Sequence, residues 1–316
     1  MSVRLTEFDK VLEAALKRAP YTVVVACGQD AAALSALLAA EEKGLARSIL
    51  VGDPGLIGPA IDALPRRLQH AEIADAPDEE SAVRRAVEIV RSGEGQILLK
   101  GKTQTGTLMH AVLDRENGLR TGHLLSDAFL FECPCKDGVR LVCITDGGIN
   151  LQPDLAAKRQ ILENAVTLYH KIGCARPRVA VLSAVENVLP GHAPSMDAAA
   201  LTRMAHCGQI ADCEVEGPLS LDLAISPEAV AKKGHAGDVA GRADILLCPD
   251  IVSANLLAKS TTYFAKLRLA HVIMGAAAPV LIPSRSDTPE AKMLSIALGA
   301  MTVKHHVTGG REDGRK

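Results

Sequence analysis

The chain predicts an α/β fold built on a doubly wound sheet, and three observations carry that prediction. Hydrophobic residues make up 48% of the 316 residues, while aromatics supply only 2% and tryptophan none. The core therefore has to be filled by Ala, Val, Leu and Ile in layers of helix on sheet. Runs with strand periodicity alternate with runs of helical periodicity, as successive βαβ units require. The length exceeds the common single-domain size, so two domains or one large α/β unit are the architectures to expect.

Taken in order, an amphipathic N-terminus, MSVRLTEFDKVLEAALKRAP, precedes a buried strand at Thr22 to Ala26 (TVVVA). A helix over Asp30 to Lys43 and a strand over Ser48 to Val51 complete the first β, α, β unit. The pattern continues through a helix at Glu79 to Arg91, a strand at Gln96 to Leu99 and a helix around Leu108 to Leu113. Apolar runs follow at Asp127 to Glu132 and Val139 to Thr145. Beyond TDGGINLQPD (Thr145 to Asp154) come the helix Leu155 to Lys171, strand Arg178 to Ser183, helix Asp197 to His206, strand Asp244 to Cys248 and helix Ile251 to Lys259. The last strand, Pro279 to Pro283, stops at Ser284-Arg285, and a helix begins a few residues on with Thr288 as N-cap and Pro289 at its first position. No internal repeat is visible, and the tail Gly309 to Lys316 reads as frayed.

A formal charge of −2 and a pI near 6.6 give no broad pull toward nucleic acid or membrane, and the aromatics are too few for base-stacking platforms. The N-terminus carries acids, unlike a signal peptide, and no run of about 18 uncharged apolar residues suggests a membrane span. The chain is read as cytoplasmic. Cysteines at 27, 133, 135, 143, 174, 207, 213 and 248 are scattered through apolar segments rather than framing short loops. In a chain of this size that pattern reads as reduced, buried thiols.

Several motifs are ruled out on physical grounds. GKT at Gly101 to Thr103 lacks the earlier glycine of a phosphate-cradling loop, Gln96 standing there, and Ile97 to Leu99 reads as a strand. Gly28 stands alone after the first strand, without G-x-G-x-x-G. Cys133 and Cys135 lack zinc-knuckle spacing and a second pair. The histidines show no ligand spacing and read as surface or satisfied core residues. There is no G-x-S-x-G elbow.

Other residues remain candidates for ligand contact. Lys102 and Thr103 follow a strand. Asp146, Gly147, Gly148 and Asn150 form a glycine-bearing turn at a strand's end, a place for ligand contact or for a simple turn. Asp250 is placed to cap the next helix, and Asn255 sits inside that helix, where its poor propensity calls for a side-chain task. Ser284 and Arg285 lie at the carboxyl end of a strand, where open α/β sheets bind ligands, and the nearby helix start favours an anion. An arginine there suggests phosphate or carboxylate. Asp287 and Glu290 suit either helix capping or chemistry.

ADILLCPDIVSANLLAKS (Ala243 to Ser260), followed by PVLIPSRSD (Pro279 to Asp287), resembles the phosphate acetyltransferase and phosphate butyryltransferase family. The likeness extends to GPLSLDLAIS, to TDGGINLQPDLAAKRQILENAV, to LLKGKTQTGTLMHAVL and to GLRTGHLLS, and so covers most of the chain from about residue 97. The LLKG and INLQPDLAAKRQILENAV forms and the overall length look closer to the butyryl enzymes. This resemblance implies a two-domain α/β/α fold of the isocitrate/isopropylmalate dehydrogenase type, with the active site in the interdomain cleft. Residues 1–138 and 284–316 would form a discontinuous first domain and 139–283 the second. It implies a homodimer with no permanently bound cofactor. Its partners would be small-molecule substrates, coenzyme A esters and phosphate.

The implied reaction converts acyl-CoA and phosphate into acyl phosphate and free CoA, with no covalent acyl-enzyme required. Arg285 would clamp phosphate oxygens, and Ser284 would donate a hydrogen bond to charge developing at carbonyl or sulfur. Lys102, Thr103, Asp146, Asn150, Asp250 and Asn255 would line the substrates. A carboxylate would take the thiol proton, a transfer uphill by roughly 6 kcal/mol for a thiol near pKa 8.5 and an ordinary Glu near 4.3. Either the carboxylate's pKa is raised in the cleft or neighbouring positive charge stabilises the thiolate. The acetyl enzymes place a catalytic aspartate several residues after the Ser-Arg pair, where this chain has Ala291. Asp287 or Glu290 is left to act from the same loop, with Asp287 favoured. The alternatives are a phosphate acetyltransferase, a non-catalytic acyl-CoA sensor of the same fold and, needing an aspartate cluster that is not seen, a metal-dependent decarboxylating dehydrogenase.

Overall fold

The computed structural model describes residues 3–136, 138–284 and 286–303; the tail expected to be frayed lies outside them. Helix α1 (Phe8–Leu16) lays Phe8, Val11 and Ala15 into the core. Strand β1 (Tyr21–Ala26) is buried throughout and leads to α2 (Ala31–Glu42), whose first turn is capped by Asp30 accepting from the Ala33 amide. The winding continues with β2 (Ala46–Gly52), α3 (Pro54–Asp62), β3 (Ala71–Asp75), α4 (Glu79–Ser92), β4 (Ile97–Lys100) and α5 (Thr105–Val112). Ile97 to Leu99 is thus a strand, as the rejection of a phosphate loop requires.

Two antiparallel strands, β5 (Ser126–Cys135) and β6 (Gly138–Thr145), carry the chain into its second half. There follow α6 (Leu155–Lys171), β7 (Arg178–Leu182), α7 (Ala193–His206), β8 (Glu214–Leu219), the short α8 (Leu221–Ile225) and α9 (Pro227–Lys233), β9 (Ile245–Leu247) and α10 (Ile251–Tyr263). The chain then returns through β10 (Leu269–Met274), β11 (Val280–Leu281) and α11 (Pro289–Thr302). Strand β11 is shorter than the apolar run that encodes it because Pro279 and Pro283 bracket it and neither has an amide to donate.

Among the described residues eleven strands form one mixed sheet, in the order β3-β2-β1-β4-β11-β10-β5-β6-β9-β7-β8. The block from β3 to β11 is parallel, as is the block from β6 to β8. Between them the pairings β11·β10, β10·β5 and β5·β6 are all antiparallel, so the two blocks point in opposite senses.

The two faces of this sheet are packed differently. On one, α1, α2, α6, α7 and α11 cover a single continuous core that runs through Val23, Leu99, Ala270, Leu130, Cys143 and Val181. On the other the core is divided. One cluster lies under α4 and α5 around Leu98, Val280 and Ile273. The second lies under α8 and α10 around Phe131, Ile144 and Leu246. The floor between them is polar, and Asp127 and His271 stand there, on the strand positions that alternate with Ala128 and Ala270.

All eight cysteines are free, and five are buried; Cys135, at the open end of β5, and Cys207, just past α7, are exposed and depart from the buried thiols expected. No helix among the described residues is long and apolar enough to cross a membrane. The N-terminal segment is tied to the second half by Asp244, which is 1% exposed. Its carboxylate accepts from Arg4 at 2.5 Å and from the Arg178 amide at 2.9 Å. Asp244→Ala leaves both arginine groups facing an apolar gap, and urea denaturation should show a loss of about 3–5 kcal/mol.

Candidate active site

Thr145 ends β6, and Asp146 follows it beside the start of β5. Asp146 is buried, and all five donors it meets point at its carboxylate. Oδ1 accepts from the amides of Asp127, Gly148 and Ile149, and Oδ2 from the Asn150 amide and side chain. Burial, and then the charge of Asp127, push its carboxyl above the ordinary value despite those bonds. The turn needs glycine at 148, since a Cβ there would stand 3.0 Å from Asp127 Oδ2. Asn150 also donates to the Leu125 carbonyl at 2.8 Å.

Next in the row is His271, in the middle of β10 and directly opposite Phe129 of β5. Its Nδ1 lies 3.3 Å from Asp127 Oδ1, and its Nε2 lies 3.4 Å from Asp287 Oδ2. Its backbone amide is held by the buried Ser295 hydroxyl of α11. Burial alone would lower the pKa of this imidazole, but the two carboxylates outweigh burial and raise it to about 10. Asp287 is pushed up by burial and down by the bond and charge of His271, the Ser284 amide and the Lys259 ammonium. The lowering effects win, and the carboxylate is held below its usual range.

Ser284 is reached through Asp287, whose Oδ2 accepts from the Ser284 amide at 2.7 Å while the Asp287 amide donates to the Ser284 carbonyl at 3.1 Å. Thr288 then caps α11, accepting from the Ala291 amide, and Pro289 opens the helix. Arg285 lies outside the described residues. Helix α10 runs along the opposite side of this loop. Three of its residues, spaced four apart, address the row in turn. Asn255 donates to the Gly147 carbonyl at 3.0 Å, Lys259 acts on Asp287 by its charge, and Tyr263 donates to Ser286 Oγ at 2.9 Å. Ser286 Oγ is in turn 3.0 Å from Ser284 Oγ.

The structure thus brings Ser284, Asp287, Asp146, Asn150 and Asn255 into one polar row that crosses β6, β5, β10 and the loop after β11. Asp250 caps α10 from the same end, accepting from the Ser253 amide at 2.8 Å. The other expected residues have different neighbours. Glu290 accepts from Arg268, which also holds Asp9 and Glu132. The Thr103 hydroxyl is buried and donates to Glu79 at 2.6 Å, and Lys102 is exposed in the same loop. Asp127, His271, Lys259, Tyr263 and Ser286 were not anticipated. Two carried a signal: a histidine inside the apolar run LAHVIM, and an acid opening the apolar run of β5.

A family model described as "Phosphate acetyl/butaryl transferase" matches residues 66–300. Phosphate butyryltransferase of Clostridium beijerinckii is 41% identical over 297 residues, spanning 94% of this chain and 97% of that one. Phosphate acetyltransferase of Rhizobium meliloti is 38% identical over 296 residues, spanning 94% and 93%. Among solved structures, a branched-chain phosphotransacylase from Enterococcus faecalis V583 superposes with a TM-score of 0.79 at 33% identity, covering 90% of this chain and 100% of that one. The chain belongs to the phosphate acetyl/butyryl transferase family.

Two stability measurements probe the row. Asp146→Ala leaves a set of converging amides without an acceptor and should cost about 2–3 kcal/mol in urea denaturation. His271 has a folded pKa near 10 against 6.5 for a free imidazole, so its stabilising charge is fully present below pH 6.5 and is lost as the pH rises through 10. The melting-temperature difference between wild type and His271→Gln should therefore be widest near pH 6.5 and shrink toward pH 10.

Proposed function

We propose that this protein is an acyl-CoA:phosphate acyltransferase, converting acyl-CoA and phosphate into acyl phosphate and CoA with a short-chain, butyryl-type preference. The observation that carries the reading is the end of the polar row. There Ser284, just beyond β11, is hydrogen-bonded to Asp287 on the floor between the two divided core clusters, in a chain belonging to this family. That division of the core also supports two lobes of the isocitrate/isopropylmalate dehydrogenase type, residues 1–138 with 284–316 and residues 139–283, with the reaction in the cleft between them. A homodimer fits the exposed apolar positions Val252 and Leu256 on α10. A cytoplasmic location remains the reading from composition.

In this mechanism CoA is part of the substrate: a phosphate oxygen attacks the thioester carbonyl directly and CoA leaves as the thiolate, and in the reverse direction the thiol gives up its proton as it attacks the acyl phosphate. Ser284 donates to the oxygen on which charge develops. The hydroxyl chain is compatible with that polarity: Tyr263 donates to Ser286, and when Ser286 donates on to Ser284 the Ser284 proton is left for substrate. Arg285 is assigned the phosphate clamp on sequence grounds. Asp146, Asn150 and Asn255 shape the floor, Asp250 holds the start of α10, and Lys102 and Thr103 belong to the neighbouring loop.

Asp287 is assigned the thiol proton in preference to Glu290, because Glu290 is engaged by Arg268 and Asp287 faces the row. The lowered pKa of Asp287 favours the second of the two ways of handling that proton. A carboxylate of raised basicity does not match it, whereas cations at the cleft that stabilise a thiolate do, and His271 and Lys259 lie at that place.

The assay is release of free thiol from acetyl-, propionyl-, butyryl- and isobutyryl-CoA with and without phosphate. Phosphate-dependent release, strongest with butyryl- or isobutyryl-CoA, is expected; strongest release with acetyl-CoA would make it an acetyltransferase. Ser284→Ala should lower kcat by about 10²- to 10³-fold and Asp287→Asn by about 10²- to 10⁴-fold. Arg285→Ala should raise the KM for phosphate as well as lower kcat. Tight CoA binding with no release from any ester would sink the enzyme reading in favour of a sensor.

A further inference from the structure

We propose that His271 is a positioning residue for the acyl transfer: a doubly protonated imidazolium, anchored by Asp127, that fixes the Asp287 carboxylate and, through it, the Ser284 loop. This inference rests on the assignment of Asp287 and Ser284 to the reaction. Its basis is geometric. A neutral imidazole has one N–H and one lone pair, so it satisfies one carboxylate and turns a lone pair on the other. Here a carboxylate oxygen lies within 3.3 Å of one ring nitrogen and 3.4 Å of the other, and both acids are almost as enclosed as the ring. Only the cation offers a donor to each side.

The ring is placed by structure that has nothing to do with titration. Its strand is buried along its whole length, Phe129 stands opposite with ring centroids 6.1 Å apart, and Ser295 holds its amide. The charged groups around it are Asp127 from β5, Asp146 from the β6 turn beyond Asp127, Asp287 from the loop after β11 and Lys259 from α10 across that loop. The Asp287 oxygen that faces the ring is also the one bonded to the Ser284 amide, so displacing Asp287 displaces Ser284.

The two amide replacements of histidine separate the two contacts. Glutamine places its nitrogen near the Nε2 position and keeps a donor toward Asp287, whereas asparagine keeps one near Nδ1 toward Asp127. With phosphate-dependent thiol release from butyryl-CoA as the assay, His271→Asn should lower kcat by about 10- to 100-fold, with both KM values within about 3-fold of wild type. His271→Gln should retain more of the rate. In both variants Asp287 loses its neighbouring cation, so the acid limb of the kcat profile should move up by about one pH unit or more.

Wild-type protein labelled with ¹⁵N-histidine should show, at pH 8, both ring nitrogens protonated in the signal that His271→Asn removes. If His271→Asn does not fold, Asp127→Asn serves instead. There the ring has lost one carboxylate, gives up its proton at lower pH, and the alkaline side of the kcat profile should fall earlier than in wild type. A neutral tautomer at pH 8, or histidine variants with wild-type kcat and an unmoved acid limb while Asp287→Asn is slow, would overturn the positioning role alone. An Asp287→Asn enzyme as fast as wild type would instead remove the assignment on which it rests.

Discussion

One cation between two buried carboxylates organises the middle of this molecule. Asp127 lies on β5 and Asp287 in the loop after β11, and without His271 their charges would confront each other at half-buried to buried positions where solvent screens them poorly. With it, β5, β10 and the loop after β11 are held in one register by side chains as well as by backbone ladders. The division of the core on that face follows. Apolar side chains cannot fill the gap where three charges meet, so α4 and α5 pack to one side and α8 and α10 to the other. The opposite face, free of that demand, closes into one continuous core.

The two parallel blocks are joined back to front. The three antiparallel pairings between them bring β6 beside β5 and β11 beside β10, so that both halves of the chain end near one floor. Helix α10 then spans the row from the far side, with Asn255, Lys259 and Tyr263 each a little over one turn apart. A helix is a rigid ruler, and this one spaces an amide, an ammonium and a phenol along the polar row.

Much of this was legible in the sequence where the signal is local. Alternating periodicities gave the α/β class, Asp250 and Thr288 are caps as their positions suggested, and the mid-helix Asn255 has the task its poor propensity called for. Strand β10 was not read at all, because LAHVIM is a short apolar run with no alternation and a histidine inside it, which local pattern does not tell from a satisfied core residue. The pairing of Asp127 with His271 spans 144 residues of sequence and is decided only when β10 settles beside β5. The acid proposed as base presented a similar difficulty. Ala291, where the acetyl enzymes carry an aspartate, is buried in the first turn of α11, and spacing alone did not reveal which of Asp287 and Glu290 faces the polar row.

The run of hydroxyls from Tyr263 through Ser286 to Ser284 is directed at its first link, where the phenol donates to Ser286, while either serine hydroxyl can donate to the other. The Ser284 hydroxyl can therefore accept that hydrogen bond and turn its own proton toward a bound group, or donate it to Ser286. None of its oxygen's described neighbours is a base able to take its proton. Under the proposed function, a serine without such a base serves as a hydrogen-bond donor rather than as a store for an acyl group, and phosphate and thioester would meet in one complex.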